Sequence, residues 1–200
     1  GCLSGGGEST PSSDIGTIAE STTPGSEQPL PSPVAGDPDA DVTVAAFEDY
    51  ACGHCGTYSL QVFPRLANEY LEPGTVRYEF HDFPIPVNET VSWQAANAAR
   101  AVQVAAGSQA YFEYSEALFE NQSSLGPETY ASLADEVGVD GATVREAATG
   151  RTYDPTVRGD RERGVNRGVS ATPTVYVDGN AVSEPTYDAI SAAIDDARNQ

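Results

Sequence analysis

Two cysteines separated by two residues are the part of this sequence best suited to chemistry. Cys52 and Cys55 enclose Gly53 and His54, and the four residues open a segment with helical spacing of apolar side chains. In the first turn of a helix, free backbone N–H groups and the helix dipole stabilise a thiolate. The i, i+3 spacing places both sulfurs on one helix face. The pattern predicts Cys52 as an exposed nucleophile and Cys55 as the resolving thiol that attacks a mixed disulfide.

His54 lies between the cysteines and can carry positive charge near neutral pH. A nearby positive charge favours thiolate over thiol, which stabilises the reduced pair and makes its disulfide a stronger oxidant. An inert disulfide and a zinc site are the alternatives. A zinc site needs two more Cys or His ligands, and neither Cys2 nor His81 has partner spacing. We expect a redox pair with no metal and no cofactor, and copper(I) binding without turnover is the rival from another class.

The composition restricts the classes of protein that this chain can belong to. It has 200 residues, 39% of them hydrophobic, which is enough for one folded domain with a tail. Its 30 acidic and 10 basic residues give a net charge of -20, which repels phosphate backbones and argues against nucleic-acid binding. All ten basic residues are arginine, and we interpret the acidic surface as an adaptation to high salt. A surface that merely keeps the protein soluble is the alternative.

Residues 1–40 differ in composition from the rest of the chain. They are rich in Gly, Ser, Thr and Pro and contain no aromatic or basic residue, which predicts a disordered acidic tether. Gly1 and Cys2 precede small residues and match the end of a lipobox, so we expect a lipid attached to Cys2 that anchors the chain to a membrane. A free thiol in a disordered leader is the alternative. No apolar run is long enough to predict a membrane-spanning helix.

From Asp41 onward, apolar segments recur in patterns that predict one domain over residues 41–200. A strand at 41–47, a helix kinked at Pro64 and a strand at 75–80 form a βαβ unit with parallel strands. A helical insertion is expected over about 88–165, and it includes one helix from Asn88 to about residue 104 and another over 108–120. A hairpin of strands at 174–177 and 181–182 and a closing helix over 186–198 complete the predicted domain.

Three separated stretches of the sequence resemble the thioredoxin superfamily and, more narrowly, the DsbA-like thiol-disulfide oxidoreductases. The stretches are FEDYACGHC, VRYEFHDFPI and GVSATPTVYVDG, in that order, and the resemblance covers about residues 41–198. It implies an α/β protein with a thioredoxin fold (β-α-β … β-β-α) and an inserted helical domain.

The resemblance also implies roles for individual residues. Pro173 stands where the family has a cis-proline facing the cysteine pair, and Thr172 and Gly53 are expected to contact the substrate. The central Gly-His pair differs from the Pro-His of well-known oxidases and is the pair found in disulfide isomerases. Ala46 stands where thioredoxins carry a buried Asp. Glu48 is the nearest acid and the candidate proton acceptor for Cys55, with a solvated turn carboxylate as the alternative.

These observations predict an extracytoplasmic oxidoreductase, tethered to the outer face of the cytoplasmic membrane, that introduces disulfides into exported proteins. Its expected partners are thiol-bearing exported proteins and a membrane redox partner that reoxidises the pair. A disulfide isomerase or reductase is the alternative within enzymes. Asn88 and Asn121 begin short glycosylation patterns, which arise often by chance.

Overall fold

The computed structural model describes residues 29–200, which form one five-stranded sheet with helices on both faces. The strand order is β1-β3-β2-β4-β5, where β2 and β3 are parallel and every other neighbouring pair is antiparallel. The strands are β1 (Val34–Gly36), β2 (Val42–Glu48), β3 (Val76–Asp82), β4 (Thr174–Val177) and β5 (Asn180–Ala181). The predicted βαβ unit and hairpin therefore share one sheet.

The helices fall into a segment between β2 and β3, an insertion between β3 and β4, and a closing helix. The first segment consists of α1 (Gly53–Thr57), a π-helical turn (Tyr58–Val62), α2 (Phe63–Leu66) and a second π-helical turn (Ala67–Leu71). Pro64 lacks the amide that would continue the regular α-helical bonds, as expected from the sequence. The other helices are α3 (Glu89–Glu120), α4 (Pro127–Glu136), α5 (Gly141–Gly150), α6 (Asp154–Asn166) and α7 (Tyr187–Arg198), with a 3₁₀ turn over Gln122–Ser124.

Helix α3 is interrupted where the sequence predicted two separate helices. Gly107 has φ 84° and ψ -173°, which no residue inside a regular helix adopts. The positive φ favours glycine because this residue has no Cβ. Asn88 caps the first half, as predicted, since its side chain accepts a hydrogen bond from the Val91 amide at 3.3 Å. No helix among residues 29–200 is both long and apolar enough to cross a bilayer.

Alternating side chains give the sheet two buried faces. Val44, Ala46 and Tyr78 belong to the larger core, to which every helix contributes, including α6 through Val157. Phe47 and Phe83 belong to a smaller core on the opposite face, where helix α6 packs at Gly164. A Cβ at Gly164 would lie 2.6 Å from the Phe83 ring, so only glycine lets α6 approach this closely. The element order and these layers confirm the predicted α/β thioredoxin fold with inserted helices.

The folded part of the chain begins earlier than predicted. The composition predicts a tether over residues 29–40, but Val34 pairs with Glu79 in an antiparallel bridge, and the Leu30 amide donates to Thr156 Oγ1 at 2.9 Å. A tether boundary at residue 40 is therefore wrong. This short apolar segment, strand β1, covers the open edge of β3. Prolines are tolerated around it because the outer side of an edge strand makes no hydrogen bonds to a further strand, so a missing N–H costs little there. Residues 1–28, including the lipid-attachment candidate Cys2, lie outside the described residues.

A network of buried charges joins β3, α3 and α6. Arg100, which is fully buried, donates from Nε to Asp82 Oδ2 at 2.7 Å and from Nη2 to Asp160 Oδ2 at 2.6 Å. Its Nη1 reaches the Pro31 carbonyl at 3.4 Å, so the N-terminal segment is fixed to the same network. His81 lies beside Asp160 at 3.4 Å and is buried, so it belongs to this network and not to the cysteine pair.

Candidate active site

Cys52 lies at the junction between strand β2 and helix α1, as the sequence predicts. It is the N-cap of α1, with φ -86° and ψ 118°, and the helix begins at Gly53. Its carbonyl accepts from the Gly56 amide at 3.1 Å. The backbone N–H groups of His54 and Cys55 help to lower the pKa of Cys52. The free amides of the first turn therefore face the sulfur that is to carry charge.

The two thiols have opposite acidities. A hydrogen bond from the Cys55 thiol is the main reason that the pKa of Cys52 falls to about 5; burial opposes this shift, and the Thr172 side chain and the two backbone amides strengthen it. Burial raises the pKa of Cys55 far above its ordinary value, helped by its bond to Cys52 and by the charge of Glu48. Near neutral pH, the reduced pair therefore holds a thiolate on Cys52 and a proton on Cys55.

Cys52 is less accessible to solvent than the sequence predicts. The sequence predicts an exposed nucleophile at Cys52, but this residue is only 6% exposed, and Cys55 is completely buried. The Thr172 carbonyl lies 3.5 Å from Cys52 Sγ and is one of the groups that cover it. Cys52 is nevertheless the only one of the two sulfurs that can meet an attacking thiol from solvent.

Thr172 and Pro173 face the cysteine pair from the start of strand β4. The peptide bond between them is cis, the conformation that the resemblance implies. Gly53 and His54 form the exposed surface of the motif, and a Cβ at Gly53 would meet no atom within 4 Å. The surface over Gly53 is therefore open, and contact of Gly53 and Thr172 with the substrate stays a prediction. The backbone amide of His54 helps to stabilise the Cys52 thiolate. That a positive charge on the exposed His54 ring adds to this effect stays a prediction.

Glu48 is buried beneath the pair and is not a solvated turn residue. Strand β2 extends one residue beyond its predicted end, so Glu48 follows Val44 and Ala46 on the buried face and is 2% exposed. Its carboxylate accepts from Ser59 Oγ at 2.6 Å and from Tyr78 OH at 3.3 Å. Burial raises the pKa of Glu48 to about 8, against the effect of these two hydrogen bonds. A carboxyl that titrates near 8 can exchange a proton with a thiol at physiological pH.

Gln122 supports the motif from the helical insertion, although nothing in the sequence points to it. Its Nε2 donates to the carbonyls of Tyr50 at 2.8 Å and Cys52 at 2.9 Å. A Cβ at Gly56 would lie 2.5 Å from Gln122 Oε1, so glycine at position 56 makes room for this amide. No sequence signal could reveal this contact, because Gln122 lies 70 residues beyond Cys52.

Asp49 stabilises the loop that precedes Cys52, and it is not among the site residues that the sequence predicts. Its carboxylate accepts hydrogen bonds from the amides of Ala51 and Ile85, both at 2.8 Å, and from Ser92 Oγ at 2.9 Å. The Asp49 amide donates to Cys55 Sγ at 3.4 Å. The hydrogen bond from the Ala51 amide to the Asp49 side chain forms an Asx turn, which Asp favours. The sequence signal for this turn is therefore an Asp three residues before the cysteine that caps the helix.

Within residues 29–200, no three His, Cys, Asp or Glu side chains are grouped so that they could hold a metal ion. The site consists of the Cys52 thiolate, the protonated and buried Cys55 thiol, the buried Glu48 carboxyl and the loop that holds Thr172 and the cis-proline. Such a set can exchange electron pairs between two thiols and a disulfide without a further group.

The family model described as Thioredoxin matches residues 29–196. The chain belongs to the thioredoxin family. Within it, the "Disulfide bond formation protein D" of Bacillus subtilis (strain 168) is 28% identical over 170 residues, which are 82% of this chain and 75% of that protein. The "Probable disulfide bond formation protein D" of Bacillus anthracis is 27% identical over 167 residues, covering 80% of this chain and 75% of that protein.

Solved structures of this fold agree with the assignment. The oxidised form of BdbD from Bacillus subtilis matches with a TM-score of 0.79 and 26% identity, covering 84% of this chain and 94% of that one. DsbA from Chlamydia trachomatis matches with a TM-score of 0.76 and 23% identity, covering 84% and 90%, and shows the shared fold. The predicted DsbA-like thioredoxin fold is confirmed, and the chain is a protein dithiol-disulfide oxidoreductase.

Proposed function

We propose that the Cys52–Cys55 pair oxidises thiols in exported proteins to disulfides. The observation that carries this proposal is the low pKa of Cys52, which falls to about 5 beside a protonated Cys55. A thiol of low pKa is a good leaving group, so a mixed disulfide at Cys52 is resolved in favour of the substrate disulfide. The same stabilisation of the thiolate makes the reduced pair the more stable form and its disulfide an oxidant.

The reaction proceeds in two exchanges. A substrate thiolate attacks Cys52 Sγ of the oxidised pair, a mixed disulfide forms, and Cys55 leaves and takes up a proton. A second substrate thiolate then attacks the substrate sulfur of that mixed disulfide and expels Cys52 as a thiolate. The substrate loses two electrons and the enzyme gains them. A membrane redox partner accepts these two electrons from the reduced pair and restores its disulfide.

The proposed location is outside the cytoplasm, at the outer face of the membrane. Disulfides persist in oxidising compartments and are rare where thiols are kept reduced, so an enzyme that makes them acts on exported chains. The relatives are named for disulfide bond formation. The proposed anchor is a lipid on Cys2. The proposed high-salt setting is supported by a net charge of -20 with arginine as the sole basic residue type.

The direction of the reaction is tested by the reduction potential of the Cys52–Cys55 pair, titrated against glutathione in molar salt. We expect a value between about -180 and -120 mV, the range from disulfide isomerase to strong oxidases. A potential below about -270 mV, the value for thioredoxin, would make the protein a reductase.

A second assay distinguishes an oxidase from a disulfide isomerase. The isomerase alternative is favoured by the Gly53-His54 pair, because disulfide isomerases carry the same two residues between their cysteines. The reduced protein is added to a substrate with scrambled disulfides, while the oxidised protein is added to the same substrate fully reduced. An oxidase speeds only the second reaction. Faster recovery of the scrambled substrate would assign isomerisation.

Replacing Glu48 with glutamine is expected to slow proton transfer at Cys55. If Glu48 donates a proton to Cys55 as it leaves and accepts one as it attacks, the exchange rate falls about 10²-fold. Stopped-flow measurement of the reaction between the oxidised protein and a dithiol peptide at pH 7 provides the rate. Glu120→Gln, an exposed change on α3, serves as the control and leaves the rate unchanged.

The stability of the Glu48→Gln variant separates this role from a structural one. The pKa of Glu48 is raised from 4.5 to about 8, so its protonated form contributes stability that is complete below about pH 4.5 and is lost as the pH rises to about 8. Glutamine does not ionise, so the variant is expected to gain stability relative to the parent between pH 5 and 9 in urea unfolding. A variant that is more stable yet reacts at the parent's rate would contradict proton transfer through Glu48.

A further inference from the structure

A cavity of about 540 Å³ lies behind the cysteine pair, between strands β1 and β3, the α1–α2 segment and the second half of α3. Its size falls within the range of small-molecule sites. Five aromatic side chains line it: Phe63, Tyr78, Phe80, Phe112 and Phe119. Neither cysteine is among the lining residues, so an occupant of this cavity is not a thiol undergoing exchange.

The charged groups of the cavity all have one sign. Glu48 lies on its inner wall, and Glu113 and Glu116 on α3 line its exposed side. None of the lining residues is Lys, Arg or His. Glu48 bonds only the hydroxyls of Ser59 and Tyr78 among the described residues, and with a pKa raised by burial to about 8 it is mostly protonated at neutral pH. The negative charge of the cavity therefore comes from Glu113 and Glu116.

We propose that this cavity binds a small organic cation with an apolar body, of the substituted ammonium class. Aromatic ring faces attract a cation through their quadrupole, and quaternary ammonium groups are a ligand class that such rings recognise. The rings of Phe63, Tyr78 and Phe112 pack against one another, with centroids 4.7 to 6.1 Å apart, and form a continuous apolar wall for the body of the ligand.

Other ligand classes fit the cavity less well. An anion is repelled by the carboxylates of Glu113 and Glu116, and a neutral apolar molecule gains nothing from their charge. A bare divalent ion requires several oxygen ligands at short distance, and the described residues hold no such cluster. This proposal does not depend on the direction in which the cysteine pair exchanges electrons.

The test is a titration of the full chain, followed by NMR chemical shifts, with benzyltrimethylammonium as the probe. The neutral comparison molecule is 2-methyl-1-phenylpropan-2-ol, which has nearly the same shape. At one fixed salt concentration, we expect the cation to bind at least about tenfold more tightly, since tenfold is what a single favourable charge contact supplies. The largest shifts are expected at residues that line the cavity, such as Ala67 and Phe112.

Two variants and a matched control locate the binding. Glu113→Gln with Glu116→Gln is expected to weaken cation binding about fivefold and to leave the neutral molecule unaffected. Glu120→Gln with Glu136→Gln removes the same charge from exposed positions outside the cavity and is expected to keep the parent affinity. Ala67→Phe fills the cavity and is expected to abolish binding of both probes.

Three results would overturn the proposal. Equal affinity for the two probes would show a cavity without selectivity for charge. Equal weakening by both double variants would show attraction by net charge and not by this site. Absence of shifts at the lining residues would show that the cavity takes no such cation. Both double variants change exposed carboxylates only, so the comparison stands even if Ala67→Phe fails to fold.

Discussion

Replacing Cys55 with alanine is expected to leave the protein covalently attached to its substrate through Cys52. The reduced variant retains the thiolate that attacks a substrate disulfide but lacks the thiol that resolves the product. Turnover is expected to fall by about 10³-fold or more, the scale seen when one member of a group that acts as a unit is removed. Non-reducing electrophoresis and mass spectrometry measure the adduct, which is expected to accumulate to one substrate per chain.

The controls for this experiment use the difference in accessibility between the Cys52 and Cys55 thiols. Cys52→Ala and the double variant are expected to form no adduct, because Cys55 is fully buried. The pKa of Cys52 in Cys55→Ala is expected to rise from about 5, since the Cys55 thiol is the largest cause of its lowering. The pH dependence of alkylation measures this rise. An adduct formed through Cys55 in the Cys52→Ala variant would contradict the assigned order of the two thiols.

Replacing Arg100 with methionine is expected to destabilise the protein by about 3–5 kcal/mol. The side chain has similar length and no charge, so Asp82 and Asp160 would remain buried without the guanidinium that bonds both. The Pro31 carbonyl would also lose one of its donors. Urea unfolding at pH 7, with salt held constant, measures the change in the free energy of unfolding.

The matched control is Arg145→Met, which removes an exposed ion pair with Glu128 and is expected to change stability by less than about 1 kcal/mol. Adding Asp82→Asn to Arg100→Met removes the carboxylate that loses its only arginine partner and is expected to recover part of the loss, whereas Asp160 keeps its ion pair with Arg163 at 2.7 Å. If Arg100→Met and Arg145→Met had equal effects, the buried network would not contribute as we describe.

The periodicity of the sequence predicted most of the fold, and it failed where its patterns were short. Strands β2, β3 and β4 and the helices of the insertion appear near their predicted places because each has its own apolar pattern. Strand β1 has only three residues, set among prolines, and its pairing with β3 makes it a strand. The tether prediction failed there because amino-acid composition indicates only whether a segment can bury enough apolar surface to fold by itself. It does not show that a distant strand has an open edge with which the segment can pair.

Glu48 shows how a small error in an element boundary changes the interpretation of a site residue. Ending strand β2 at Phe47 places Glu48 in a solvated turn, whereas one more residue places it on the buried face with Val44 and Ala46. The side-chain period of two in a strand decides which face a residue occupies. Glu48 is identified in the sequence as the acid nearest to Ala46, which stands where thioredoxins carry a buried Asp, and its raised pKa comes from burial that no local pattern encodes.

The sequence by itself determined the chemistry of this protein: two thiols three residues apart at the start of a helix, because the backbone of a first turn favours a thiolate wherever it occurs. Only the tertiary structure decided how far the two thiols differ. The contacts with Thr172 and Gln122 and the position of Glu48 beneath the pair all depend on residues brought together from separate elements. Desolvation and hydrogen bonding act through space, so the acidities of Cys52 and Cys55 are properties of the folded chain.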